Sequence, residues 1–582
     1  NSVDHFHLGL RFHVELTDAA GQRGANLIRC FANAREYDLV ARNPCALGPQ
    51  IFPARDHIHP RARLRQRLQD RLIAGRFHRI ADKVVHAVQR VIKQLEMPQQ
   101  GRCGINIERS SDRGCDLGNR DILGDLFDYS MLIGATGKIH AGLHPYTDIR
   151  SPMQSATYLF NALTESVFGR SYLGLTWGGL IQALGGGGLI FWITKKQGGA
   201  VVAVAFTAAM VLGGLIQHVV FFYNPIGIAC AAIVVIGLSR QPGLDQLRQP
   251  TTWLIFGALI VSGLNKLNFH GFTMAVGATL LLLAKTQGEL NWKRFGQQIA
   301  LLGLAGLMLP LLFELAWTGA SLATWFENVI TRPSERHESM ARWSDLGILF
   351  HPASNFYHHL LFPFLGGLGT LAVGIATGWS LLAGNKPKPL PANAVRLILA
   401  LGGIFSSCLL MVTNNETLSL TSLPFLIITM ALVLSHAGSG HSFYRLSVFA
   451  VVACIPWVIN GGYSAWHGSR VYYGLHGPDR SEFQRVDTPS LPLRDFEGVR
   501  FHPDRLTQLK ALASTLVEME SPQGKLPGVA FGSALEWLER AYPDNIVRNM
   551  PVWFHHGTTL RDGDLDWFAH YLSTAQADQL LV

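Results

Sequence analysis

From residue 173 to residue 460 the sequence is a succession of apolar runs broken by short polar turns, and no other feature limits the fold so strongly. A run of about 20 apolar residues crosses a bilayer as a helix, because lipid offers the backbone no hydrogen-bond partners. About ten runs can be marked: 173–193, 200–222, 225–238, 253–264, 272–284, 299–313, 357–382, 394–411, 418–434 and 443–459. Several are shorter than a full crossing, and Asn265, Lys266, Asn268 and His270 interrupt the apolar sequence between the fourth and the fifth. The expected fold is therefore an all-α polytopic membrane protein with about ten transmembrane helices.

The first 124 residues are of another kind. Arg, His and Gly are scattered there without a sustained period, and the first methionine is Met97. One stretch, 61–95, has helical spacing: Leu72, Ile73, Phe77, Ile80, Val84, Val85, Val88 and Val91 fall three or four apart. Cys30, Cys45, Cys103 and Cys115 lack the CxxC or CxxH spacing of a metal site, and Cys230, Cys408 and Cys454 lie inside apolar runs. The net charge of +9 suggests nucleic acid only until the second half is read by region. There the Lys and Arg fall in turns between spans, where they orient a membrane protein, so no nucleic-acid partner is expected.

Alternate turns carry the basic residues: Lys195 and Lys196; Arg240 and Arg248; Lys285, Lys293 and Arg294; Lys386, Lys388 and Arg396; Arg445. The intervening turns carry almost none, Lys266 excepted. By the positive-inside rule the basic set is cytoplasmic. Four regions follow: a basic segment 1–124; a first outer loop 125–172; a membrane domain 173–460 with a second outer loop at 318–356; and a small outer α or α/β domain at 461–582. With neither a signal peptide nor a span ahead of it, an outer 125–172 has no means of delivery. The expectation is that a helix belongs upstream of Asp125 and that 1–124 is foreign to the functional protein.

The first outer loop is also where the chain resembles a known family. Asp128 and Tyr129 are followed by Ala135, Ile139, Ala141, Gly142, Pro145, Tyr146 and Asp148, then by Ser151, Pro152 and an amphipathic stretch from Tyr158 to Phe168 and Gly169. This order resembles the first extracytoplasmic loop of GT-C type glycosyltransferases, which include protein mannosyltransferases and bacterial enzymes that take sugars from polyprenyl phosphates. The resemblance covers residues 125–582. It implies an integral enzyme of the bacterial inner membrane that transfers a sugar from a lipid-linked donor, with membrane lipids around it, to a glycan, lipid or protein acceptor outside. Members often carry an adjacent acidic pair at the start of this loop; here Asp125 and Asp128 stand three apart.

Such a reaction needs a carboxylate to take or orient the acceptor's proton, and cations to steady the departing lipid phosphate. Asp128, Asp125 and Asp148 are the candidate catalytic acids. Their bland readings are solvated charge for the first two, and for Asp148 a side-chain bond that stabilises the turn after Pro145. Arg332, Arg336, His337, Arg342 and Lys266 are the candidate phosphate ligands, since guanidinium groups hold phosphate oxygens two at a time. Glu327, Glu335 and Glu338 are equally able to neutralise those arginines, and Lys266 to snorkel. No cofactor is required, although the chemistry admits a divalent metal. His555, His556, Asp562, Asp564 and Asp566 lack the glycine and closing glutamate of a calcium loop. The alternative is a transporter or flippase of lipid-linked glycans, which would put its ionisable residues in mid-span; here only Glu314 and Lys266 approach that position.

Overall fold

The computed structural model describes residues 126–333 apart from 217, 241 and 242, then 394–403, 418–436, 441–468, 480–487, 491–522, 524–532, 535–552 and 579–581. The segment 1–124 with its candidate helix at 61–95, Asp125, the run 357–382 and the acidic and histidine cluster at 555–566 lie outside these residues. All described residues belong to the compact unit that contains Asp116–Val582.

The first described stretch is more ordered than a loop. Helix α1 (Leu126–His140) leads through the Pro145 turn to a short strand β1 (Ile149–Arg150) and then to helix α2 (Ser155–Phe168). Next comes α3 (Tyr172–Ile181), whose N-terminus is capped by the Ser171 hydroxyl accepting from the Gly174 N–H. It runs through a π-turn into α4 (Gly187–Met210). This is no single rod, because Gly199 has φ 82° and ψ 171°. A Cβ built on Gly187 would lie 2.8 Å from Val211 Cγ2, whereas 24 residues of straight helix would hold the two about 36 Å apart. The chain folds back at Gly199, a conformation that suits a residue without Cβ, and two antiparallel spans result. Gly187 belongs to the Gly185–Gly188 run, and its missing side chain lets those spans touch.

Helix α5 (Tyr223–Leu238) is buried at every residue from Asn224 to Leu238. It is the central post of the membrane body, as a helix apolar on all sides must be. Around it pack α4, α6 (Pro250–Gly263) and α7 (Leu267–Thr286). Helices α8 (Trp292–Gly303) and α9 (Leu309–Thr318) form one continuous span of 27 residues. On that span Leu304, Leu307, Met308, Leu312 and Phe313 are exposed, an apolar face suited to lipid. A short α10 (Leu322–Phe326) follows, then α11 (Ala394–Gly403), α12 (Leu418–His436) and α13 (His441–Gly468). Among the described residues three stretches, Tyr172–Leu215, Leu267–Thr286 and Trp292–Thr318, are long and apolar enough to cross a membrane, and five further apolar helices are shorter. The break expected across 265–270 is narrower than the sequence suggested: Asn268 and His270 lie inside α7, and only the turn at Leu264–Lys266 interrupts the helices.

The body has two rims. At the basic rim Lys196 donates to Thr251 Oγ1 over 2.7 Å, and Arg294 pairs with Asp245 at 3.1 Å. At the other rim lie the starts of α3, α5 and α7 and the end of α9, and there the stretch 126–171 attaches.

The C-terminal residues fold into an α/β segment. Its elements are β2 (Gln484–Arg485), β3 (Arg500–Phe501), α14 (Pro503–Met519), β4 (Val529–Phe531), α15 (Leu538–Ala541), β5 (Met550–Pro551) and β6 (Gln579–Leu581). Strand β1 pairs in parallel with β5, Ile149 opposite Met550, and so brings the stretch 126–171 into the same fold. Ile133, Tyr158 and Tyr172 share one core with Phe496, Trp537 and Tyr542. Two glycines of α1 permit the contact, since a Cβ on Gly134 would meet Glu536 at 2.6 Å and one on Gly137 would meet Arg540 Cγ at 2.5 Å.

Candidate active site at the rim

The Pro145–Asp148 turn sits at this second rim, against the end of α9 and α10. Tyr146 has φ 70°, a left-handed conformation that costs a bulky residue about 1–3 kcal/mol and persists only where its surroundings impose it. Here they do. The Tyr146 N–H donates to the Ile149 carbonyl at 2.7 Å, and the Asp148 N–H donates to the His144 carbonyl at 3.0 Å. The Tyr146 side chain is buried, and its hydroxyl donates to the Met153 carbonyl at 3.3 Å. The Glu314 carboxylate lies against the same hydroxyl and competes with the Met153 carbonyl for its one proton. Burial first, and then Glu314, push the phenol well above its ordinary range, so it remains a donor at neutral pH.

The first turn of α2 is sewn to the membrane helices. A helix N-terminus has amides without intrahelical partners, and here the turn between α6 and α7 and helix α9 supply them. The Gln154 N–H donates to the Asn265 carbonyl at 3.1 Å, and the Ala156 N–H to the Leu264 carbonyl at 2.7 Å. Glu314, near the end of α9, accepts from the Ser155 N–H at 2.8 Å and from the Ser155 hydroxyl at 2.6 Å. Farther along the rim the Thr147 hydroxyl donates to the Thr318 carbonyl at 3.2 Å. Tyr146 packs with Ala320, Trp325 and Val329, where the second outer loop begins.

Among the sequence-predicted acids, Asp148 does what its bland reading expected. Its Oδ2 accepts from the His144 N–H at 3.0 Å, its Oδ1 lies 3.6 Å from Arg548 Nη1, and its carbonyl accepts from the Asn549 N–H. Asp128 stands in the first turn of α1, with its side chain outside the described residues, as is Asp125 altogether. Among the cations, Arg332 pairs with Glu327 at 3.3 Å, the neutralisation foreseen for this loop. Lys266 lies 4.1 Å from the Tyr223 ring centroid, a cation–π contact at the same rim. Arg336, His337 and Arg342 lie outside the described residues. The rim thus gathers the turn of Asp148, the turn of Lys266 and the first part of the loop that carries Arg332. Among the described residues no three His, Cys, Asp or Glu side chains gather as a metal would require.

Sequence reasoning passed over Glu314 as a site residue. Its one signal was an acid inside the apolar run LPLLFELAW. It also missed a second buried polar cluster, where α1 and α2 meet the C-terminal segment. There Lys138 pairs with Glu539 at 2.8 Å, and Arg540 pairs with Glu165 at 2.6 Å and with Asp495 at 3.1 Å. The Ser130 hydroxyl donates to Glu536 at 2.7 Å. Burial pushes Glu536 up to about 8 and Glu165 up to about 7, the latter against the pull of Arg540.

No family model and no curated protein matches the sequence. Among solved structures, ArnT from Cupriavidus metallidurans, crystallised bound to undecaprenyl phosphate, is similar at a TM-score of 0.42 and 11% identity, over 79% of this chain and 86% of that one. A likeness that loose transfers neither ligand nor chemistry to this protein.

Proposed function

We propose that this chain is a membrane glycosyltransferase of the GT-C type, which moves a sugar from a polyprenyl-phosphate donor to an acceptor at the extracytoplasmic face. One observation carries the reading: the turn bearing Asp148, the lysine at Lys266 and the start of the arginine-bearing loop meet at one rim. The donor's tail stays in the bilayer while its phosphate and sugar emerge, so the reaction belongs at a rim. The exposed apolar face of α8 and α9 beside it offers the tail a place.

In the proposed reaction the acceptor nucleophile attacks the sugar's anomeric carbon and the bond to the lipid phosphate breaks. Asp128 takes the nucleophile's proton, with Asp125 and Asp148 as the neighbouring acids. The polyprenyl phosphate leaves with its negative charge against Lys266 and the arginine loop, which holds Arg332, Arg336, His337 and Arg342. The short turns between spans at this rim, 217–224 and 264–266, hold no Lys or Arg apart from Lys266, which supports an outer location.

The transporter alternative asks for ionisable groups in mid-span. Glu314 instead stands one turn from the end of α9, with both oxygens bound to Ser155.

The test uses the full chain in lipid nanodiscs with radiolabelled polyprenyl-phosphate sugars. Asp128→Asn is expected to lower transfer by about 10²–10⁴-fold, the usual yield of a general base. Unchanged turnover removes Asp128 from the mechanism. Lys266→Ala is expected to weaken donor binding instead.

A further inference from the structure

Glu314 is fully buried, and among the described residues no basic side chain pairs with it. Burying a lone carboxylate is expensive unless donors satisfy it, and the Ser155 N–H and hydroxyl both donate to it, with the Tyr146 hydroxyl, whose one proton Glu314 shares with the Met153 carbonyl, beside them. All three belong to the first outer stretch, whereas Glu314 belongs to the span ending at Thr318. The carboxylate also faces the N-terminus of α2, where the helix dipole favours negative charge. One acid therefore holds both the left-handed Tyr146 turn and the helix that follows it.

We propose that Glu314 is a positioning residue that clamps the Pro145–Asp148 turn and the first turn of α2 to the end of a membrane span, and so sets where the first outer stretch presents its acids. The inference rests on the glycosyltransferase reading for its consequence in catalysis, but not for the clamp itself. The clamp works by accepting hydrogen bonds, and it neither takes the acceptor's proton nor touches the sugar. Glutamine fits that role in large part, because its carbonyl accepts from the Ser155 N–H while both hydroxyls can turn to accept from its amide. Leucine, of similar size, removes the acceptor of both Ser155 donors and leaves the Tyr146 hydroxyl with the Met153 carbonyl alone.

The experiment measures hydrogen exchange and sugar transfer on the full chain in nanodiscs. In Glu314→Leu the amides of Tyr146, Asp148 and Ser155 are expected to exchange about tenfold faster or more. Its kcat is expected to fall about 100-fold, the scale of a small misplacement, with KM for the donor little changed. Glu314→Gln should restore both to within about threefold of the parent. Parent-like exchange in Glu314→Leu overturns the clamp. So does a Glu314→Gln variant with parent-like exchange and abolished transfer, because that pattern assigns proton chemistry to Glu314 itself. If Glu314→Leu does not fold, Ser155→Ala and Tyr146→Phe each remove one donor. Parent-like exchange in both then overturns the clamp. If the unmodified protein transfers no sugar from any polyprenyl phosphate, the glycosyltransferase reading fails, and the exchange measurements still decide the clamp.

Discussion

Two buried polar clusters among the described residues solve the same problem in opposite ways. At the rim, Glu314 is held by neutral donors from a single turn and a helix N-terminus. At the junction with the C-terminal segment, Glu539, Glu165 and Asp495 are held by Lys138 and Arg540. Neutral donors give direction, since each hydrogen bond fixes a particular N–H or hydroxyl. Opposite charges are less particular about direction, yet removing one member leaves a bare charge behind. The rim is thus built for placement and the junction for attachment.

The largest expected effect breaks the junction. Arg540→Ala strands Glu165 and Asp495 in the interior, and should cost about 3–5 kcal/mol in unfolding followed by tryptophan fluorescence in detergent. A loss below about 1 kcal/mol would mean that the junction is not charge-balanced as described. Gly134→Ala comes next, because its methyl would stand 2.6 Å from the Glu536 backbone oxygen and the helix must move. A loss of about 1–3 kcal/mol is expected in the same assay.

A third test uses pH. Glu536 is raised from the ordinary 4.5 to about 8, so the folded protein holds that proton more tightly than the unfolded chain. Its contribution is complete below pH 4.5 and is lost as pH climbs through 8, by about 1.4 kcal/mol per unit between those values. Glu536→Gln should flatten the dependence of the melting temperature on pH across this window; an unaltered slope would show that Glu536 is ionised when folded. The smallest effect belongs to Arg548→Ala, whose guanidinium is 70% exposed and 3.6 Å from Asp148. A change under about 1 kcal/mol is expected.

Much of the membrane body was legible because apolar runs report burial locally. The runs at 225–238 and 299–313 return as helices, and the polar interruption near Lys266 returns as a turn. The Asp148 side-chain bond to His144 was also readable, since it closes over four residues. What the sequence hid lies in distance along the chain. Ser155 and Glu314 are 159 positions apart, and Ser130 and Glu536 are 406 apart. A glutamate in an apolar run and the ordinary-looking LERA of α15 carry no mark of their partners. The same holds for Gly134 and Gly137, which read as generic helix glycines until another helix is laid against them. Asp128 and the arginine loop were named from the chemistry their residue types permit, and that naming remains a proposal.

The core shared by α1, α2 and the C-terminal segment has a consequence for how the protein is made. Tyr158 and Tyr172 emerge from the ribosome long before Phe496, Trp537 and Tyr542, with every described membrane span between them. Until the last segment arrives, the first one has an apolar face with nothing to cover it. Its maturation is bound to wait for the synthesis of residues 496–542, and the membrane helices must insert while their own entrance is still unfinished. A chain released before residue 496 would carry the described spans beneath a half-built roof, and this is the kind of intermediate that quality-control proteases recognise.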